Sequence, residues 1–326
     1  MQKENRTPQP VRWGEKRFYS LDYYLKQTYG HKLYKIALDA GMTCPTRDGT
    51  LGTRGCIFCS AKGSGDFAAD RSLSVTEQLI QGKEIIRNKF HADGYIAYFQ
   101  AFTNTYAPVE RLRQVFTEAI NAPDVEILSI ATRPDCLGPE VLELLQELSQ
   151  IKPVWVELGL QTIHPDSATF IRRGYELSVF LEAVENLRRI GISVIVHVIL
   201  GLPGETFDQM LETVQYLNTL DIQGIKLQLL HILEGTDLAD YYREHPFPVM
   251  TTDEYLALLG DCISHLRPDI VIHRLTGDGP SKLLIEPQWT TRKRDTLNRL
   301  NAYLKTPEHL AGKELYQWHN HLHCIS

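Results

Sequence analysis

The chain has 326 residues, 43% of them hydrophobic and 23% charged, with a formal net charge of −6. Those proportions belong to a folded protein with a substantial core, and the acidic balance excludes a generic polyanion binder while leaving room for a local basic patch. The longest apolar stretch, residues 192–203, is broken by His197 and is too short to span a bilayer. The polar start of the chain lacks the apolar run of a secretory signal, so a cytoplasmic protein without membrane contact is expected.

Residues 1–30 carry Trp13, Phe18, Tyr19, Tyr23, Tyr24 and Tyr29 among basic residues, and read as a helical extension. Strand-like runs follow at 32–38, 94–100, 125–131, 154–160, 193–200, 225–230 and 270–274. Helical stripes lie between them. Leu177, Phe180, Leu181, Val184, Leu187 and Ile190 keep three–four spacing, as do Phe207, Met210, Leu211, Val214 and Leu217. Ser74 with Glu77 and Thr251 with Glu254 read as capping boxes that open two more helices. Residues 281–326 are helical in pattern. The alternation predicts an α/β barrel over 31–280, with parallel strands inside, helices outside, and the loops that follow the strands sharing one functional face. Basic pairs and triplets such as Arg172–Arg173 and Arg292–Lys293–Arg294 read as solvated surface.

Three of the six cysteines, Cys44, Cys56 and Cys59, fall in a Gly- and Thr-rich loop, CPTRDGTLGTRGCIFC, just after the first predicted strand. In a reducing compartment such a group reads as metal or redox chemistry instead of disulfide stapling. Three thiolates without a fourth leave one iron of a [4Fe–4S] cluster open to a ligand. A zinc site completed by His31 and three unrelated core thiols are the alternatives at this point. Cys262 lies on the apolar stripe of its helix and reads as core; Cys136 precedes a helix start at Pro139 and reads as inert. The ending WHNHLHC, with His319, His321, His323 and Cys324, reads as a frayed terminus. Arg133, Glu157 and Asp278 are candidate substrate contacts, although Asp278 sits in a Gly-Asp-Gly-Pro turn.

With those cysteines stand YFQAFTNTY (98–106), IATRPDCL (130–137), ELGLQT (157–162), IRRGYE (171–176), VILGLPGET (198–206) and HRLTGDGPSKLL (273–284). Together they resemble the radical S-adenosylmethionine (SAM) superfamily over roughly residues 30–280. The wide spacing from Cys44 to Cys56 resembles the YtqA/YhcC-type branch, MnmL-like and near the Elp3 and coproporphyrinogen-dehydrogenase-like groups.

The resemblance implies a partial (β/α)6 TIM-type barrel with N- and C-terminal helical extensions, a [4Fe–4S] cluster on Cys44, Cys56 and Cys59, and SAM as second cofactor. Reductive cleavage of SAM would then release a hydrogen-abstracting 5′-deoxyadenosyl radical. Gln100, Thr103 and Asn104 would face the methionyl amino group, although the Gly-Gly-Glu-type segment usual there is missing. Gln161 and Arg173 match two SAM contacts, with Arg173 on the carboxylate. His197 stands where related groups carry an Asp for the ribose, and Gly201 begins a turn that brings backbone to the adenine. The branch further implies a tRNA substrate, with the carboxymethylaminomethyl side chain of wobble uridine remodelled to aminomethyl. A reductant such as flavodoxin or ferredoxin would supply the electron, and a separate methyltransferase would act afterwards. A small cofactor precursor as substrate, and a zinc-stabilised nucleic-acid-binding protein, are the rival readings.

Overall fold

A computed structural model of the chain describes residues 13–63, 65–277 and 279–306. Asp278 and the His-rich ending therefore lie outside the described residues. Helix α1 (Leu21–Tyr29) opens on Ser20, whose hydroxyl accepts from the Tyr23 amide, and stops at Gly30 in the left-handed region. Strand β1 (Leu33–Leu38) follows. A long loop then leads to α2 (Val75–Arg87), β2 (Gly94–Phe99), α3 (Val109–Ile120), β3 (Val125–Thr132), α4 (Pro139–Ser149) and β4 (Val154–Gln161). Next come α5 (Pro165–Phe170), α6 (Leu177–Arg189), β5 (Ser193–Leu200), α7 (Phe207–Leu217) and β6 (Gly224–Leu229). The described chain ends with β7 (Ile232–Leu233), α8 (Asp237–Glu244), α9 (Thr252–His265), β8 (Val271–Arg274), β9 (Leu284–Glu286) and α10 (Lys293–Tyr303).

Strands β1 to β6 line up in chain order and β8 follows β6, giving a seven-stranded sheet whose neighbours are all parallel. The expected partial barrel of six strand–helix units is present, extended by one short strand. Both expected capping boxes form, at Ser74–Glu77 and Thr251–Glu254, and a third at Thr206–Gln209 opens α7. The predicted stripe of α6 buries Phe180, Val184 and Leu187 against the sheet. In α7 it buries Met210, Val214 and Leu217, while Phe207, at the helix start, stays exposed. Strands covered on both faces need apolar residues throughout, and every residue of β2 is buried. Among the described residues no helix is long and apolar enough to cross a membrane.

Side chains alternate along a strand, so the barrel interior is built in layers. The lowest is apolar: Leu33, Ile96, Ile127, Trp155 and Ile195 cluster with Leu25 of α1, with Tyr24 and Tyr29 packed against them. Helix α1 thus plugs the N-terminal end of the barrel, with Tyr24 tilted on Trp155 at 6.1 Å between ring centroids. Packing accounts for those N-terminal aromatics. On the other side, β9 pairs antiparallel with β7, and the Trp289 indole donates to the Met250 carbonyl at 2.9 Å, so the chain after β8 is drawn back onto the barrel.

Trp155→Ala empties the centre of the plug, and unfolding free energy in urea should fall by about 3–5 kcal/mol. Thr251→Ala, which removes only a helix cap, should cost about 1 kcal/mol.

Candidate functional site

The loop after β1 brings the three predicted cysteines to the C-terminal mouth of the barrel. It is fastened by its own chemistry. The Arg47 amide donates to the Cys44 carbonyl at 2.8 Å, and the Arg47 guanidinium reaches the Cys59 and Ser60 carbonyls at 3.1 and 2.8 Å. Gly63 has φ 55°, and a Cβ there would lie 2.3 Å from the Phe102 ring; its bareness lets the loop close on the end of β2, where the Phe102 amide donates to the Gly63 carbonyl. The Ile57 amide donates to the Ile171 carbonyl, which ties the CxxC turn to the loop beyond α5.

Cys44, Cys56 and Cys59 border one cavity of about 250 Å³ over the strand ends. Cys44 Sγ lies 3.0 Å from the Thr46 hydroxyl. Burial, then the neighbouring Cys59, pushes the Cys56 thiol up to about 12, with Arg133 and Arg172 opposing. Zinc completed by His31 is excluded by topology. His31 precedes β1 and Cys44 follows it, so a strand of six residues, about 20 Å, separates them. Among the described residues no three His, Cys, Asp or Glu side chains are set as a single-ion site. Ligands to one zinc sit within about 4 Å of each other, whereas a four-iron cluster spreads its thiolates wider.

The predicted SAM contacts divide into two groups. Gln100, Thr103, Gln161, Arg173 and His197 line the same cavity as the cysteines. Gln161 holds φ 69°, rare for a residue with a side chain, and its buried Oε1 has no hydrogen-bond partner. Asn104 and Gly201 do not border the cavity. Asn104 is fully buried and donates to the Phe99 and Ala131 carbonyls, pinning the ends of β2 and β3. The Gly201 amide faces the Met210 sulfur at 2.9 Å.

Arg173 is buried, correcting the expectation that Arg172–Arg173 is solvated surface. Its Nη1 donates to the Leu160 and Thr162 carbonyls and its Nε to the Tyr175 carbonyl; among the described residues Nη2 makes no hydrogen bond. Arg133 is committed too. It grips Asp135 through two nitrogens, at 2.9 and 2.7 Å, and donates to the Arg173 carbonyl at 2.8 Å. The Tyr175 ring centre lies 4.9 Å from each of the two guanidiniums. Arg172 instead pairs with Asp237 on α8, which also meets Arg54.

At the floor of the cavity Glu157 is wholly buried on β4. Its Oε1 accepts from Lys35 Nζ and Ser129 Oγ, both at 2.8 Å, and its Oε2 from His197 Nε2 at 2.7 Å and from Lys226 Nζ. Lys226 also reaches the Tyr98 hydroxyl at 3.0 Å. Burial alone would raise the Glu157 carboxyl, but Lys226, Lys35 and His197 hold it well below the usual range. Burial, then Lys226, pushes His197 down to about 4 although Glu157 pulls the other way. A neutral ring facing a carboxylate that only accepts carries its proton on Nε2.

The amino-acid sequence matches the model of the Radical SAM superfamily over residues 50–217, and that of the Radical_SAM C-terminal domain over residues 222–306. The chain belongs to the radical SAM superfamily. It is 45% identical to YtqA of Bacillus subtilis, with 94% of this chain and 95% of that protein aligned. To YhcC of Escherichia coli K12 it is 34% identical, over 86% and 90%. A tRNA uridine(34) acetyltransferase of Methanocaldococcus jannaschii is 23% identical over 49% of this chain and 29% of its own length. Among solved structures, Methanocaldococcus infernus Elp3 with an N-terminal deletion shares the fold with a TM-score of 0.64 at 16% identity, over 84% of this chain and 62% of that one. The protein is therefore a radical SAM enzyme, of a superfamily that works with SAM and a [4Fe–4S] cluster. Three thiols around one cavity, cationic neighbours and an unpartnered buried amide oxygen fit both groups.

Sequence reasoning missed Lys35, Tyr98, Lys226 and Arg274. For the two lysines the available signal was a single basic residue inside a mostly apolar strand, LYKIAL and GIKLQL.

Unfolded, His197 would titrate at its ordinary value of 6.5, so between pH 6.5 and about 4 the unfolded chain holds a proton that the folded ring lacks. Stability should fall as pH falls through that window. His197→Gln keeps a donor for Glu157 and should flatten this part of the profile, read from urea midpoints at each pH.

Proposed function

We propose that Cys44, Cys56 and Cys59 hold a [4Fe–4S] cluster with one iron open to SAM, and that the enzyme remodels the carboxymethylaminomethyl side chain of tRNA wobble uridine to aminomethyl. The observation that carries this reading is that three thiols and a charged, hydrogen-bonding floor share one cavity at the mouth of the barrel. When bound, the cluster supplies one electron to the SAM sulfonium, and cleavage of a carbon–sulfur bond provides a hydrogen-abstracting radical. The chain orients and shields the reactants. Arg173 Nη2 would meet the SAM carboxylate, Gln161 Oε1 and the Gln100–Thr103 strand end would offer polar contacts, and Asn104 braces that end from behind.

A uridine substrate draws support from the relatives. The tRNA uridine(34) acetyltransferase, named for a uridine of tRNA, aligns over about half of this chain, and a cavity with a charged floor suits a polar side chain better than an apolar ligand. The carbon between the amine and the carboxylate has no proton acidic enough for easy removal by a base, which favours a radical route: after losing a hydrogen atom to the radical and one electron that the oxidised cluster would take back, it would become an imine, and water would hydrolyse that imine to the aminomethyl group and glyoxylate. Flavodoxin or ferredoxin would serve as one-electron donor. The aminomethyl product would pass to a separate methyltransferase.

Anaerobic reconstitution should give a brown protein with about four irons and four sulfides. Its broad visible absorption should be lost in Cys56→Ala. With reductant and SAM, 5′-deoxyadenosine formation should rise on adding tRNA that carries carboxymethylaminomethyluridine, and not on adding tRNA that already carries the aminomethyl group. Equal rates with the two tRNAs would exclude this substrate.

A further inference from the structure

The charged side chains around the cavity are committed within the protein. His197 and Lys226 meet Glu157, Arg133 grips Asp135, and Arg173 is given over largely to backbone carbonyls. Arg274 on β8, the registered neighbour of Lys226, is engaged as well. Among the described residues three side-chain amides also line the cavity. Gln100 is engaged. The Gln161 amide folds over Gly159, where a Cβ would lie 2.8 Å from its Nε2. Gln228 has no such place: its half-buried side chain makes no hydrogen bond among the described residues.

Strand β6 sets where that amide points. Side chains alternate along a strand, and Gln228 stands two residues beyond Lys226 with Ile199 of β5 as its registered neighbour. It therefore faces the interior one layer above the Glu157 network and nearer the mouth. On β3 and β4 the residues two positions beyond Ser129 and Glu157 are Ala131 and Gly159, whose small size keeps this layer open. Ile199 and Leu230 give the cavity an apolar wall on the same side as Gln228. The side chains proposed above to meet SAM come from the ends of β2 and β4, the loop after α5, and His197 on β5. Strand β6 supplies none of them and lies beyond β5 from β4, so its wall is left to the substrate.

A half-buried amide with neither its donor nor its acceptor paired gives up hydration for nothing, and a ligand that satisfies both ends binds favourably. A phosphate or carboxylate offers acceptors alone and would use only Nε2. A planar ring edge that carries an N–H beside a carbonyl uses both ends, and its faces suit the apolar wall. Uracil has such an edge, with N3–H flanked by two carbonyls, and unpaired bases are read on that edge by side chains of this kind.

We propose that Gln228 reads the imide edge of the substrate's uracil ring, accepting from N3–H through Oε1 and donating to the adjacent carbonyl through Nε2. This rests on the proposed function and deepens it, because it names the part of the base that is recognised apart from the side chain that reacts.

Anticodon stem-loop RNAs are titrated by fluorescence anisotropy into the reconstituted protein with SAM and without reductant. One carries 5-carboxymethylaminomethyluridine at the wobble position, the second the same base methylated on N3, and the third plain uridine. The wild type should bind the first roughly ten- to hundredfold more tightly than the second. Gln228→Met and Gln228→Leu, both apolar and of similar volume, should bring those two RNAs close to parity while SAM affinity stays unchanged. Equal binding of the first two RNAs to wild type, or a preference that survives in both variants, overturns the assignment. Loss of SAM affinity in the variants overturns it as well, by giving Gln228 to the cofactor's adenine. If the first RNA binds better than the third and N3-methylation costs nothing, the proposed substrate stands and Gln228 falls. If the first and third bind alike and N3-methylation still acts through Gln228, the reader of the base stands and the carboxymethylaminomethyl substrate falls. No binding of any of the three removes both.

Discussion

A wholly buried carboxylate organises the middle of this barrel. Glu157 accepts from four side chains on four other strands: Lys35 on β1, Ser129 on β3, His197 on β5 and Lys226 on β6. Removing any partner would leave a charge or a polar group stranded in a low-dielectric interior, which costs far more than a surface pair contributes. The network therefore fixes the relative heights of the strands, and with them the heights of everything at their C-terminal ends.

Those ends carry the chemistry. The cysteine loop is held to the barrel by Arg47, by the close approach of Gly63 to Phe102, and by the Ile57–Ile171 backbone bond. The Tyr175 ring contacts both the Arg133 and the Arg173 guanidinium near the ends of β3 and β4. Asp135 answers one of them, and backbone carbonyls absorb most of the donors of the other. Such an arrangement keeps positive charge near the thiols while leaving only a single Arg173 nitrogen for a ligand. Rigid donors set in advance are what a radical enzyme needs, since a cofactor displaced by an ångström would misdirect the abstraction.

Much of the fold was legible because its signals are local. Each of the seven predicted strands appears within a residue or two of its expected place, and both expected capping boxes close, since alternation and capping are read from near neighbours. Cys262 was recognisable as core from its helical stripe, and it is fully buried. Basic residues were harder. Arg172 and Arg173 are adjacent in sequence, yet one meets Asp237 and the other lies buried under Tyr175; nothing in a run of two arginines distinguishes these fates.

The amino-acid sequence by itself determined the superfamily, the three-cysteine loop after the first strand and the alternating βα order, because each rests on residue types at short, fixed spacing. Only the tertiary structure decided what fills the barrel. Lys35, Tyr98, Glu157, Lys226 and Arg274 are spread from the first strand of the sheet to the last, and they become neighbours when parallel strands bring them to one level. A charge balance inside a cavity is a sum over distant residues, and it exists only once the sheet has curled around them.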